Sequence, residues 1–411
     1  MKVTPRAVAV SEDARMVTTV ERMRTYDGPA ILSYGFRPFF LFGAVWAALA
    51  VAVWLPMLAG SLDLPTAFAP IDWHAHELLY GYLPAIVAGF LLTAVPNWTG
   101  RLPVTGSPLL GLLLIWLAGR LAVAFSGWLG LPWAAVVDLS FLASLGAVVA
   151  REIVAARDLR NLKVLLIVGL LLGGNAVFHV ESALASGTGY GTRIGIAAAV
   201  LLISLVGGRI VPSFTRNWLA RERPGALPQP FSRFDVVTLI AGAAALTLWT
   251  AAPHGAATAV LALAAGLLHG LRLARWRGYR TASEPLVLVL HIAYAFVPIG
   301  FILVAASIAL PALLTASGAL HGWTTGAIGL MTLAVMTRAS LGHTGRPLTA
   351  TAPTQLIYAA ALVAALARIV SAFGLAREPL LHLSAAAWVV AFSGFVVVYG
   401  PLLARSRPKT G

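Results

Sequence analysis

The chain has no cysteine among its 411 residues. That excludes disulfides, iron–sulfur clusters, thiolate-ligated haem and cysteine-attached haem c, so any metal must be held by His, Met or carboxylate. Charge is scarce as well, at 11% of residues against the ~25% of a soluble chain. A soluble fold of this size could not cover its surface with so few charges. Disorder is excluded because apolar residues reach 59% and the mean hydropathy is +0.86. The first 35 residues lack any long apolar stretch and carry Lys2, Arg6, Arg15, Arg22 and Arg24. No cleavable signal is therefore expected, and residues 1–35 read as a cytoplasmic tail. A Gly-rich phosphate loop, a Ser-His-Asp arrangement and a paired-carboxylate site are also missing.

Long apolar runs take their place. Twelve segments, each near the ~20 residues needed to span a bilayer, lie at roughly 36–58, 73–97, 108–125, 131–150, 162–184, 194–213, 233–252, 256–275, 284–309, 318–338, 353–373 and 378–403. They must be helical, because lipid offers no partner to backbone amides. The expectation is an all-α integral membrane protein, with a transmembrane domain at 36–403 and a cytoplasmic tail at 404–411. The net charge of +14 does not point to nucleic acid, because the basic residues sit between apolar runs, as in cytoplasmic loops facing membrane lipids. With the N-terminus inside, only Arg120, Arg193, Arg368 and Arg377 of the 29 Lys and Arg fall outside. Both termini are expected to be cytoplasmic.

An internal repeat follows. Segment two ends Pro96-Asn97-Trp98-Thr99-Gly100-Arg101, segment six Pro212-Ser213-Phe214-Thr215-Arg216, and segment ten Gly342-His343-Thr344-Gly345-Arg346. Aligning the threonines superposes His76 on His321, each 23 residues upstream, with Thr192 in the middle copy. Segments three and eleven supply Arg120 and Arg368. The period of four helices predicts three four-helix units around a shared axis, where such repeats place their sites.

Nine histidines occur. A lone His in a bundle often only hydrogen-bonds across it, but ionisable groups at depth are functional candidates by default. His321 and His343 are ~33 Å apart along one helix and cannot share a metal. His74, His76, His179 and His321 fall in the outer leaflet; His269, His291 and His343 fall in the inner half. Positions i and i+2 lie ~200° apart on a helix, so His74 and His76 suit two neighbouring centres rather than one chelate. Four imidazoles at one depth without thiolate suit haem iron and copper. Arg120 and Arg368 lie at similar depth and need anions, either haem propionates or, for Arg120, an ion pair with Asp138. His269, followed by Arg272, reads as a group that snorkels to the interface.

The runs Trp73-His74-Ala75-His76-Glu77-Leu78-Leu79-Tyr80-Gly81, Ala88-Gly89-Phe90-Leu91-Leu92-Thr93-Ala94-Val95-Pro96-Asn97-Trp98-Thr99-Gly100-Arg101 and Met336-Thr337-Arg338-Ala339-Ser340-Leu341-Gly342-His343-Thr344-Gly345-Arg346-Pro347 resemble the NnrS family. The resemblance runs from about residue 30 to 400, and Leu78 departs from a common Met of the pattern. It implies a twelve-helix bacterial inner-membrane protein associated with haem, copper and nitric oxide metabolism, denitrification or nitrosative stress. The family's histidines carry over onto His74, His76, His179, His291, His321 and His343. At the level of fold the chain is also similar to the catalytic subunit of haem–copper oxidases, a pseudo-threefold bundle in which helices two and ten clasp a haem. Helices six and seven here lack histidine, so that family's copper ligation is not expected.

The expected function is reduction or detoxification of nitric oxide. His76 and His321 are expected to ligate one haem b, with Arg120 and Arg368 on its propionates. His74 and His179 are expected to supply a copper site, with Glu77 as ligand or proton carrier, sharing a helix face with His74 at i,i+3. Two nitrogens would be held between the metals, and the donor would be a quinol near His291, His343 and Arg338. A non-catalytic haem protein that binds nitric oxide and a transporter of copper or a small metabolite are the alternatives.

Overall fold

A computed structural model describes residues 26–157, 162–187 and 189–405. Twelve helices in it are long and apolar enough to cross a membrane: α1 (Phe36–Leu58), α2 (Pro70–Thr99), α3 (Ser107–Ala124), α4 (Leu131–Ala156), α5 (Leu162–Leu184), α6 (Tyr190–Glu222), α7 (Arg233–Ala251), α8 (Ala256–Ala274), α9 (Pro285–Ala309), α10 (Ala316–His343), α11 (Ala352–Ser371) and α12 (Arg377–Ala404). No strand occurs among the described residues. The protein is an all-helical, multi-pass membrane protein. Most of the expected tails, residues 1–25 and 406–411, lie outside the described residues.

The helix ends follow local chemistry. Proline occupies the first turn of α2, α3, α4, α9 and α11, where its missing N–H costs nothing. The Glu284 side chain caps α9 by accepting from Leu286 N at 3.2 Å. Gly100 ends α2 at φ 69°, a left-handed stop that glycine adopts without a Cβ clash. α6 outruns its expected span of 194–213 because its polar end, Arg209 to Glu222, stays helical beyond the apolar stretch that hydropathy detects. Arg37, buried at the start of α1, donates to the Leu403 and Arg405 carbonyls, each at 2.8 Å. It thereby ties the first helix to the open carbonyls ending the last.

α2 and α10 are the most buried spans. The peripheral helices turn Leu114, Val136, Leu166, Ile240, Val260 and Val397 outward, the surface that lipid requires. α2, α6 and α10, the helices aligned by the repeat, each contain a π-helical turn: Glu77–Tyr82, Ile203–Gly207 and Gly322–Gly329. Those of α2 and α10 begin directly after His76 and His321. A π turn inserts one residue into the helix, which disturbs regular packing and recurs at functional sites. All three helices wall the two cavities described below, and the Tyr82 and Thr332 hydroxyls hydrogen-bond between α2 and α10.

Candidate functional site

Six polar side chains meet near the start of α2: His76 and Glu77, Arg120 of α3, Asp138 of α4, and Asn175 and His179 of α5. All are buried. Each interrupts an apolar span, so each is costly unless partnered. Arg120 Nη1 donates to both Glu77 oxygens, at 2.7 and 2.7 Å, and Nη2 donates to Asp138 Oδ1. Trp46 Nε1 adds a bond to Glu77 Oε2 at 2.7 Å.

His76 Nδ1 lies 3.0 Å from Glu77 Oε1. An ionised carboxylate only accepts, so this nitrogen donates. The ring's other nitrogen, Nε2, faces Asp138 Oδ2 at 3.1 Å and Asn175 Oδ1 at 3.0 Å. In a neutral ring Nε2 would present a lone pair to two oxygens, an arrangement that needs a cation. Charge counting agrees: Glu77 and Asp138 outnumber Arg120 by one while both imidazoles are neutral. A proton or a metal ion supplies the missing charge. His179 Nε2 converges on the same Asp138 oxygen at 3.0 Å, and one ligand atom from each of His76, Asp138 and His179 lies within 4.8 Å of the others. Two imidazoles and a carboxylate suit copper or zinc. The carboxylate behind His76 is the arrangement that usually orients a metal-bound histidine. Phe68, Phe178 and Tyr80 pack around the rings.

A separate cavity of about 290 Å³ opens on the other side of α2. His74, His321, Thr192 and Arg368 line it, with Leu78, Ile196 and Trp388 among its apolar walls. His74 stacks on Trp54 at a ring distance of 4.0 Å. The buried atoms His74 Nδ1 and Trp54 Nε1 have no partner, which asks for an occupant. His321 Nδ1 bonds to the Ser317 carbonyl at 2.8 Å, so its Nε2 is left for another ligand. Arg368 bonds Ser371 Oγ at 3.0 Å, and among the described residues no carboxylate lies in ion-pair range of it. Two imidazoles, a spare guanidinium and apolar walls match the donor set of a haem with a propionate.

The expected pairs are therefore exchanged. His76 meets His179, not His321; His74 shares a cavity with His321, not with His179. The repeat put His76 and His321 in register, but His76 has both ring nitrogens engaged within α2–α5 and does not line the cavity. Arg120 is the ion pair with Asp138, joined by Glu77, and does not line the cavity. Glu77, expected beside His74 as ligand or proton carrier, is instead held by Arg120, Trp46 and His76. Asn175 was missed, although an Asn inside the apolar run of α5 is itself a signal.

The inner residues do not form one site. His291 Nε2 bonds Thr215 Oγ1 of α6 at 2.7 Å, and Arg338 lies 4.1 Å over the ring of the adjacent Phe214. His343 instead lies against Phe36 and Tyr34. His269 does not snorkel: it is buried and bonds the Tyr294 hydroxyl at 2.9 Å, while Arg272, buried beside it, pairs with Asp235 at 3.0 Å and with the same Tyr294 at 2.9 Å.

Residues 30–407 match the protein-family model described as NnrS protein. No curated protein matches the chain.

Proposed function

Because the chain belongs to the NnrS family, whose members are tied to nitric oxide, haem and metal, we propose that it binds and reduces nitric oxide with two centres flanking α2. Copper would be held by His76, Asp138 and His179. Haem b would be held by His74 and His321, with Arg368 on a propionate. The observation behind this reading is the division of two histidines, two residues apart, between a closed polar cluster and an open cavity. When bound, the haem would supply an iron that takes nitric oxide in exchange for one of its two histidines, and the copper would supply a one-electron couple.

The chain's own residues do the rest. Glu77 holds the His76 ring by Nδ1 so that Nε2 faces the metal position. Arg120 neutralises Glu77 and Asp138 and keeps both carboxylates in place. Phe68, Phe178 and Tyr80 exclude water from that cluster. Trp54 fixes His74 by stacking, and the Ser317 carbonyl fixes His321. Held on opposite sides of α2, the two groups would not share one diatomic molecule, so a copper on His76, Asp138 and His179 would supply an electron rather than a second place for nitrogen. The overall reaction joins two nitric oxide molecules with two electrons and two protons to give nitrous oxide and water. Asp72, at the cavity wall, is placed to pass protons inward.

Several broader features belong to the same proposal. The bundle has three four-helix units about the α2–α6–α10 axis, supported by the meeting of those helices. It lies in the bacterial inner membrane with both termini cytoplasmic, supported by the distribution of Lys and Arg. A quinol supplies the electrons near His291 and Arg338, which contact neighbouring residues of α6. The unbroken course of α2, α6 and α10 favours a binding site over a transport path built from half-helices. The test is anaerobic supply of quinol and nitric oxide to the purified protein. Nitrous oxide formation supports the reductase; nitric oxide binding without nitrous oxide replaces it with a nitric-oxide-binding haem protein.

A further inference from the structure

A second cavity, about 70 Å³ in volume, lies among α2, α6 and α10. Leu83 and Val87 of α2, Ala199 and Ile203 of α6, and Ile328 and Met331 of α10 are among its walls. Thr332 is the one polar side chain on the wall. Its hydroxyl is already engaged, its one proton shared between the Ile328 and Gly329 carbonyls, each at 2.8 Å, and its oxygen paired with the Tyr82 hydroxyl. The space exceeds the ~10–15 Å³ that one water needs, but a water also needs polar partners. This wall offers none. The pocket is only partly enclosed, and a wall without polar partners favours apolar guests such as xenon over water.

Ile328 lines this cavity and the His74–His321 cavity alike. It lies in the π turn of α10, and the π turn of α6 contributes Ile203 and Val206 to the same wall. The two cavities thus share Ile328, a residue of the α10 π turn, as a common wall.

We propose that the apolar α2–α6–α10 cavity is a chamber that collects a small uncharged gas, and that Ile328 is the gate through which the gas reaches the His74–His321 cavity. The chamber takes a diatomic molecule by size and rejects ions and water for lack of any hydrogen-bonding group. The gating role rests on the haem reading above; occupation of the chamber by a gas does not.

The experiment has two arms on the full-length purified protein. In the first, xenon is applied under pressure and located in the structure, for the parent and for Ala199→Leu and Val87→Met. Both substitutions fill the chamber without touching the histidine cavity, and Met adapts its shape where Leu does not. Xenon among Val87, Ala199 and Met331 in the parent, lost in the filled variants, is expected; an empty chamber overturns the proposal. In the second, carbon monoxide is photolysed from the reduced haem protein. Filling the chamber should lower association and dissociation rates together, by about tenfold, with the equilibrium affinity and optical spectrum unchanged. Ile328→Ala should raise both rates. Unchanged rates, or a change in affinity alone, overturn the gate. If the preparation binds xenon but no haem, the chamber stands and the two-centre reading falls.

Discussion

His76 and His179 aim their Nε2 atoms at one carboxylate oxygen, Asp138 Oδ2, from 3.1 and 3.0 Å. The two rings come from α2 and α5 and the oxygen from α4, so three helices must hold their relative depth for the group to exist. Asp138→Asn preserves the volume but removes the charge that gathers these nitrogens. Copper affinity is expected to fall at least 10–100-fold, the loss typical of an outer partner alone, while haem content stays at the parent level. Copper and haem stoichiometry of the purified variant checks this.

Among the described residues, Arg120 is the one guanidinium paired with both Glu77 and Asp138. Arg120→Ala leaves Glu77 and Asp138 without their cation, and a stability loss of about 3–5 kcal/mol is expected. Adding Glu77→Ala to that background should cost less than the two single changes summed, because the groups share one network. Thermal unfolding in detergent, followed by circular dichroism, measures both.

Glu77→Gln separates positioning from proton transfer. The amide oxygen still accepts from Trp46, but the negative charge behind His76 Nδ1 is gone. Copper affinity is expected to fall while bound copper retains its spectrum at saturating metal. If proton delivery were the role of Glu77, copper binding would be unchanged and only turnover would fall.

Close packing between α5 and α6 sets the position of His179. A Cβ at Gly191 would sit 2.6 Å from the backbone of Phe178, the residue before it. Gly191→Ala should push α5 outward at a cost of about 1–3 kcal/mol and weaken copper binding, with haem content unaffected. Metal titration of the variant beside the parent decides it.

The twelve spans were legible because apolar length and the bilayer's need for internal backbone bonding leave helices as the only solution. That His74 and His76 face different surroundings was legible too, from their i,i+2 spacing. Which of them meets His321 was not, because repeat register says nothing of side-chain direction around α2. Asp138 was visible as a partner for Arg120 but not as the oxygen shared by two histidines, since that depends on the relative depth of α2, α4 and α5. The burial of His269 was not legible because the groups that hold it and Arg272 in place, Tyr294 and Asp235, lie on other helices; a buried Asp at the start of an apolar segment was the available hint.

Arg368 stands at the repeat position of Arg120 but without the carboxylates that hold Arg120. Arg368→Gln should weaken haem binding without abolishing it, and copper content should not change. Haem titration of the apoprotein measures the shift; equal haem affinity in variant and parent would remove the propionate role.

The most direct test is to purify His76→Ala and His321→Ala side by side and measure haem and copper in each. Two centres divided by α2 require opposite losses: His321→Ala should lose haem and keep copper, and His76→Ala should lose copper and keep haem. Loss of haem from both variants, with copper retained, would place His76 and His321 on one iron and contradict the account.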